Sequence, residues 1–574
     1  MNRNNVFEWK ENFENEYGEK PGDWRYDTNK DQINRYWNDR LKVSSRFESV
    51  YTVGMRGIHD SGMPGPKDPD KKVELLEEVI DGQRSIFRNY FDKATDVPQI
   101  FCPYKEVLSL YQRGLKLPDD VTVVWADDNH GYIRQLSTPG EQKRSGHSGV
   151  YYHISYWGAP HDYLWLTSTS PALISYEMTK AYQFGADRLW VLNVGDIKPA
   201  ELETEFFMDL AWNVGKWIPE NAHNYAENWA AETFGKKLAP AIAQIKAEYY
   251  RLAQNGKPEH LRMLHFDDEI KQERLADYGE LMKKVDEMEA RVPIRLKDAF
   301  FELVKYPVYG AAMMNQKVLC AEMSLDLAEK GDNKALEMSD KAAKAYQQII
   351  EMTGKYNETI ANGKWNDMMS WHPRSLPIFE MPLVATKEMI GHPEKIIRTD
   401  VSKNKYLNNI EGASAREKSQ RTKTGTSILA SDFQEKYENE GEQIEIIQGL
   451  GLGSRSVSRY PFTGKSFKKE EANQAPSVEY VVDLDPGNYN ISVKCLPTQR
   501  IHDGRSVSYA LSVNDSEPEV VDVDVSRSQR YWIPAVIRGF SEGNSELQLN
   551  GKTTIRIYLM DTNTAISKID IQKK

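Results

Sequence analysis

The sequence predicts a multidomain chain combining α/β, all-α and all-β parts: a partial (β/α)8 TIM barrel, a helical bundle and a C-terminal β-sandwich. Two patterns predict this. Strand-like and helix-like segments alternate through roughly the first 200 residues, and short strands separated by turn residues fill the chain beyond about 444. Length is the third observation, since 574 residues exceed the ~250–300 at which one core stops growing.

The α/β part spans 1–220. Apolar runs at 50–55, 99–102, 121–126, 150–156 and 188–194 resemble buried parallel strands. Between them, 72–90, 105–111, 162–184 and 200–217 read as helices. The bundle spans 221–391, where 237–253, 268–291 and 316–352 are long, charged and rich in alanine and leucine. Residues 392–443 are polar and lysine-rich, which predicts a linker or irregular connection. The β-sandwich spans 444–574. There Tyr480-Val481-Val482-Asp483-Leu484 leads to a turn at Asp485-Pro486-Gly487, followed by the alternating strand from Tyr489 to Cys495. Further strands flank an Asn514-Asp515 turn and occupy 554–560.

Composition narrows the function classes. Net charge is −11, so no basic stripe exists to neutralise a nucleic-acid backbone. Three cysteines, Cys102, Cys320 and Cys495, show neither metal-ligand spacing nor a disulfide framework. No apolar run approaches the ~18 residues of a membrane span, and the first residues lack the apolar stretch of a signal peptide.

Barrel enzymes carry their chemistry at the C-terminal ends of strands. Each of the five strands ends in a polar cluster: Met55-Arg56-Gly57-Ile58-His59-Asp60, Pro103-Tyr104-Lys105-Glu106, Asp127-Asp128-Asn129-His130-Gly131, Tyr152-His153-Ile154-Ser155-Tyr156-Trp157-Gly158 and Asn193-Val194-Gly195-Asp196. One such cluster is often a cap or a solvated loop. Five in register predict a cleft of carboxylates, imidazoles, an arginine and aromatic rings. That set suits sugar hydrolysis, which needs two carboxyl groups flanking the bond and flat faces for the ring.

The stretches 51–60, 103–108, 125–131 and 151–158, in this order and spacing, closely resemble the glycoside hydrolase family 115 xylan α-glucuronidases. The resemblance runs on through the helical and β regions. It implies an inverting enzyme, free of metal and cofactor, that releases α-1,2-linked glucuronic or 4-O-methylglucuronic acid from xylan. The implied partner is glucuronoxylan or its oligosaccharides, not nucleic acid or membrane, and a homodimer is allowed. The family also has an N-terminal domain and three earlier barrel strands with another carboxylate, so Met1 falls inside the barrel. This chain alone is therefore expected to be inactive or nearly so, and a catalytically incomplete sugar-binding fragment is the alternative reading. If an N-terminal part precedes Met1, a periplasmic or secreted location follows from the resemblance.

Each residue also has a structural reading. Glu106 stands at a helix start, where the dipole alone favours a carboxylate; the motif match favours acid or base. Asp60 could cap its loop, yet it resembles a catalytic carboxylate, and Asp60 and Glu106 are the expected catalytic pair. Arg56 could pair with Asp60, but a uronate also needs a bidentate cation. His59 shares that strand end and is assigned to substrate. His153 could be a satisfied core histidine; its place at the barrel top favours substrate. Side chains alternate along a strand, so Asn129 is assigned to a sugar hydroxyl or water, Asp127 to the same side, and His130 to support behind them. Tyr156 and Trp157 are expected to stack on sugar. A metal-dependent hydrolase using His59, Asp60, His130 and His153 lacks any compact ligand pair. Trp532 and nearby tyrosines could form a carbohydrate-binding face, but packing of Trp532 against the catalytic body is the expectation.

Overall fold

The computed structural model describes residues 9–58, 61–422, 425–514 and 516–574. The chain divides into two compact units, one of Met1–Asp127, Ile133–Tyr152 and Ala181–Val191, the other of Asp128–Tyr132, His153–Lys180 and Leu192–Lys574.

The first unit opens with two helices, Trp9–Tyr17 and Tyr26–Ser44, where the sequence reading placed no element. Aromatic side chains make them: Trp9, Phe13, Trp24, Tyr36 and Trp37 are all buried, and Trp9 meets Phe13, Trp24 and Tyr36 at 5.0–5.2 Å. A sheet follows, in the order β1 (Tyr51–Thr52), β2 (Gln99–Phe101), β3 (Thr122–Ala126), β4 (Ser148–His153) and β5 (Leu189–Asn193). Pairing is parallel from β1 to β4. All five residues of β3 are buried, as a strand covered on both faces should be. Every residue of β5 is at least partly exposed, which befits the end of the sheet. All five predicted strands are present, each shorter than its apolar run.

Helix ends moved for local reasons. The helix expected at 72–90 is Pro69–Phe87, because Asp68 accepts from the amides of Asp70 and Lys71 and Pro69 suits the first turn. The helix expected at 162–184 is Pro171–Gln183. Its start is Ser170, whose Oγ accepts from Leu173 N at 3.3 Å ahead of Pro171.

In the second unit the expected helix 268–291 is Asp268–Arg291, capped by Asp267. The stretch 316–352 is instead two helices, Tyr306–Glu329 and Lys334–Gly354, parted at Gly331, whose φ of +72° only a glycine adopts freely. Strand β6 (Leu264–His265) pairs with β7 (Ile410–Glu411).

The C-terminal antiparallel sheet has ten strands: β8 (Gln420–Thr422), β9 (Gly425–Leu429), β10 (Glu435–Tyr437), β11 (Gln443–Gln448), β12 (Arg455–Tyr460), β13 (Ser477–Cys495), β14 (Ser508–Val513), β15 (Glu519–Asp522), β16 (Ser541–Leu559) and β17 (Ile566–Lys573). The reading of 392–443 as a linker is therefore corrected from residue 420 onward. Those strands are short and rich in serine, threonine and charge, so their hydrophobic signal is weak; pairing of β9 along β17 makes them strands. The turn expected at Asp485-Pro486-Gly487 is likewise corrected. β13 is one strand of 19 residues, and its register against β16 shifts between Leu484 and Gly487. Pro486 has no N–H to give the ladder, and a bulge removes the need for one. Of the expected Asn514-Asp515 turn, Asp515 lies outside the described residues. Inward positions such as Val478, Tyr480, Ile491, Val493, Ile555 and Ile557 form the core.

This sheet is fastened to the 153–180 segment of its own unit. Tyr176 Oη and Ser458 Oγ lie 3.1 Å apart. Buried Lys180 donates to Asn563 at 2.6 Å and pairs with Glu177 at 2.9 Å. The three cysteines are free thiols. Among the described residues, no helix is long and apolar enough to cross a membrane.

Candidate functional site

The end of β1 is set by one buried glutamine. Gln83 Oε1 accepts from Gly54 N at 2.7 Å, and its Nε2 donates to Gly54 O at 3.0 Å. This pins the backbone two residues before Arg56, whose carbonyl accepts from Trp24 Nε1 at 2.8 Å. Arg56 then presents its guanidinium edge to Glu106: Nε to Oε1 and Nη2 to Oε2, both 2.9 Å. This is the two-point geometry that matches a planar fork to a carboxylate. The guanidinium also lies 5.4 Å from the Tyr104 ring. Glu106 is the first residue of the helix Glu106–Gln112, so its charge faces the favourable end of the dipole. Arg56, expected to pair with Asp60 if structural, thus has Glu106 as its described partner. His59 and Asp60 lie outside the described residues. Asp127, just past β3, is 1% exposed, and its backbone donates to Tyr151 O at 3.2 Å.

In the second unit, Asp128 N donates to Tyr132 O at 2.8 Å and closes a turn. Asn129 at φ +71° and Gly131 at φ +90° take left-handed conformations in it. The strand-alternation argument that placed Asn129 beside Asp127 therefore does not apply, because the chain is no longer extended there. Asp128 and His130 are buried, and Tyr163 Oη donates to Asn129 O at 2.7 Å.

His153 is fully buried, with its ring edge-on to Tyr156 at 5.5 Å. Tyr156 and Tyr163 exchange backbone hydrogen bonds at 2.9 and 3.0 Å, and the loop between them carries Trp157 outward. Trp157 is 69% exposed, with the Arg374 guanidinium 4.0 Å over its ring. Arg374 pairs with buried Asp162, which also accepts from Gly158 N at 2.7 Å. One face of an exposed indole is thus braced by a fixed cation. Asp196 is exposed.

Around His130, which the sequence did single out, lie Tyr163, Lys257, Glu259 and His260, which escaped the sequence reading. His130 lies 5.1 Å from Tyr163, 6.0 Å from His260 and 6.0 Å from Trp532, ring to ring. Lys257 Nζ donates to Ser168 Oγ at 2.7 Å and sits 4.6 Å over Tyr163. Burial, with Lys257, His153 and His161 nearby, holds the His130 imidazole well below the usual histidine range. Burial lowers the Lys257 ammonium to about 8. Glu259 is buried too, its Oε1 accepting from the amides of Leu164 and Trp165 at 2.8 Å each. A signal for these existed: Gly256-Lys257-Pro258-Glu259-His260 interrupts a helical stretch with a breaker pair and three titratable groups. Trp532 donates from Nε1 to Asp128 Oδ2 at 2.7 Å. Among the described residues, no three His, Cys, Asp or Glu side chains gather at a spacing that could hold a metal ion.

Two sequence-family models match the chain: glycosyl hydrolase family 115 over residues 1–260, and the glycosyl hydrolase family 115 C-terminal domain over 422–574. A solved structure described as a family GH115 4-O-methyl-α-glucuronidase with specificity for decorated arabinogalactans superposes with a TM-score of 0.80. The identity is 31%, over 96% of this chain and 68% of that one. A family 35 carbohydrate binding module from Clostridium thermocellum matches at 16% identity, over 25% of this chain and 97% of that one, with a TM-score of 0.19. The C-terminal CBM6 of a laminarinase from Zobellia galactanivorans matches at 10%, over 26% and 98%, with a TM-score of 0.18. Likeness at that level bears on neither fold nor ligand. No curated protein matches the chain.

Proposed function

The chain belongs to glycosyl hydrolase family 115 and is a glycosidase, and on that premise we propose that it removes α-1,2-linked glucuronic or 4-O-methylglucuronic acid from xylan with inversion. The observation that carries this reading is the two-point Arg56–Glu106 pair, built from the polar ends of neighbouring strands β1 and β2. In this reading the parallel sheet is the C-terminal part of a (β/α)8 barrel, whose strand ends bear the chemistry, and the ten-stranded sheet is a sandwich. Asp60 and Glu106 divide the acid and base work. One carboxylic acid gives its proton to the leaving oxygen; one carboxylate takes a proton from the water that attacks the anomeric carbon from the other face. The C–O bond breaks as the new one forms, and the uronic acid leaves as its β-anomer.

Arg56 and His59 are assigned to the sugar, Arg56 as counter-charge to the uronate. Asp127, Asn129, His153 and Tyr156 are assigned to hydroxyls and ring, and Trp157, braced by Arg374, to the flat face of a sugar. No metal or cofactor is required by these roles. The arabinogalactan specificity of the similar 4-O-methyl-α-glucuronidase makes decorated arabinogalactan the second substrate to assay. A secreted or periplasmic location follows from polysaccharide substrates.

The test is uronic acid release from glucuronoxylan oligosaccharides and decorated arabinogalactan. It uses this chain alone and with the family's N-terminal part supplied in cis or in trans. Glu106→Gln and Asp60→Asn should each reduce the rate by about 10²–10⁴-fold with the fold intact. Near-wild-type turnover in either variant removes that residue from the mechanism, and a first-formed α-anomer by proton NMR refutes inversion. No uronic acid from either substrate under any of these conditions overturns the assignment.

A further inference from the structure

The 128–132 turn is tied to the C-terminal β region through one buried carboxylate. Asp128 is 2% exposed. Its Oδ1 accepts from the backbone amides of His130 at 2.9 Å and Tyr132 at 3.2 Å. Its Oδ2 accepts from Gln499 Nε2 at 2.8 Å and Trp532 Nε1 at 2.7 Å. Gln499 lies four residues past the end of β13, and Trp532 lies on the helix Gln529–Arg538. One oxygen therefore shapes the turn while the other is held by two side chains more than 360 residues away in sequence.

The turn has reason to need holding. Two of its residues, Asn129 and Gly131, sit at positive φ, so local preference does little to define it. Gln499 is itself 3% exposed, with its carbonyl accepting from Asn563. The Trp532 indole adds an edge-on contact with the His130 ring at 6.0 Å and 76°. Side-chain N–H groups aimed at a buried carboxylate are strong, directional ties.

We propose that Gln499 and Trp532 are positioning residues for the hydrolysis: through Asp128 they set the 128–132 turn and hence Asn129. The C-terminal region then acts as scaffold for the reaction rather than as a detachable sugar-binding module. The kinetic part of this rests on the assignment of Asn129 to substrate or water made above; the structural part does not.

The test uses the full 574-residue chain. Trp532→Phe deletes one N–H and keeps a ring, and Gln499→Leu deletes the other with a smaller change, so a result stands if one variant does not fold. Hydrogen exchange by mass spectrometry should show protection of the 128–132 amides falling by about tenfold or more, with β13 and β16 unchanged. Where the chain or its supplemented form turns over, kcat should fall by about 10–100-fold, as misplacing a contact by ~1 Å does, while KM stays within about twofold. The loss should vanish on an Asn129→Ala background, because both changes act through one residue. Unchanged protection in both variants overturns the proposal. So does lost protection with kcat intact, or an equal kcat loss with and without Asn129. A wild-type protein without activity would count against the functional assignment alone, and the exchange measurement would still decide whether the tie exists.

Discussion

Strands β13 and β16 run for 19 residues each and pair from Ser477↔Tyr558 to Cys495↔Ser541, whereas β1 has two residues and β2 three. The long pair alternates: Val478, Tyr480, Ile491 and Val493 point into one apolar core. The short strands instead end within a few residues of charged and aromatic side chains, Arg56 after β1 and Glu106 after β2. One sheet gathers area out of water, and the other holds polar groups where loops can aim them. Stability and the proposed chemistry are thus drawn from different parts of the chain.

The largest expected effect sharpens that division. Ile491→Ala, at a fully buried position of β13, should destabilise the protein by about 2–5 kcal/mol through lost transfer energy and a cavity. Val191→Ala, at a 36% exposed position of β5, should stay within about 0.5 kcal/mol. Chemical denaturation compares the two, and equal losses would break the comparison.

The next effect falls on substrate choice. Arg56→Ala should leave the thermal midpoint nearly unchanged, because a partly exposed ion pair adds little. It should lower kcat/KM on every substrate, because Glu106 loses its two-point partner, and most on the uronate, by about 100-fold, since that substrate also loses a counter-charge that its methyl ester or reduced analogue does not need. Equal losses on all three substrates would make Arg56 structural.

The smallest effect concerns a cation buried among rings. Lys257 releases its proton at about 8, well below the ordinary lysine value, because burial penalises its charge. Between about 8 and ~10.4 the unfolded chain binds a proton that the folded chain does not, so stability should rise with pH across that window. Lys257→Met should flatten the rise, by at most about 3 kcal/mol. Thermal midpoints from pH 7 to 10 measure it, and superimposable profiles for the two proteins would show that Lys257 keeps its charge.

Periodicity was legible. The five strands of the first sheet, the helix from Asp268 to Arg291 and the alternating strands of the C-terminal sheet all follow from side-chain spacing. The polar strand ends were legible for the same reason, since an apolar run that stops at Arg56 or Glu106 marks where a strand leaves the core. What failed were local rules overridden by distant partners. Asp485-Pro486-Gly487 reads as a turn in isolation, yet pairing with β16 on both sides makes it a bulge. Residues 420–437 read as linker because their apolar content is low, and only their neighbours in the sheet make them strands.

The sequence by itself determined most element types, their order and the residue classes at each strand end, because these depend largely on neighbours within a few positions. Only the tertiary structure decided who meets whom. It gave Arg56 to Glu106 rather than leaving it open, brought Lys257 to Tyr163, and joined Asp128 to Gln499 and Trp532. No local signal encodes such contacts. They arise when separately formed elements bury their apolar faces together, and the polar side chains caught at the boundary must find partners wherever the chain has brought them.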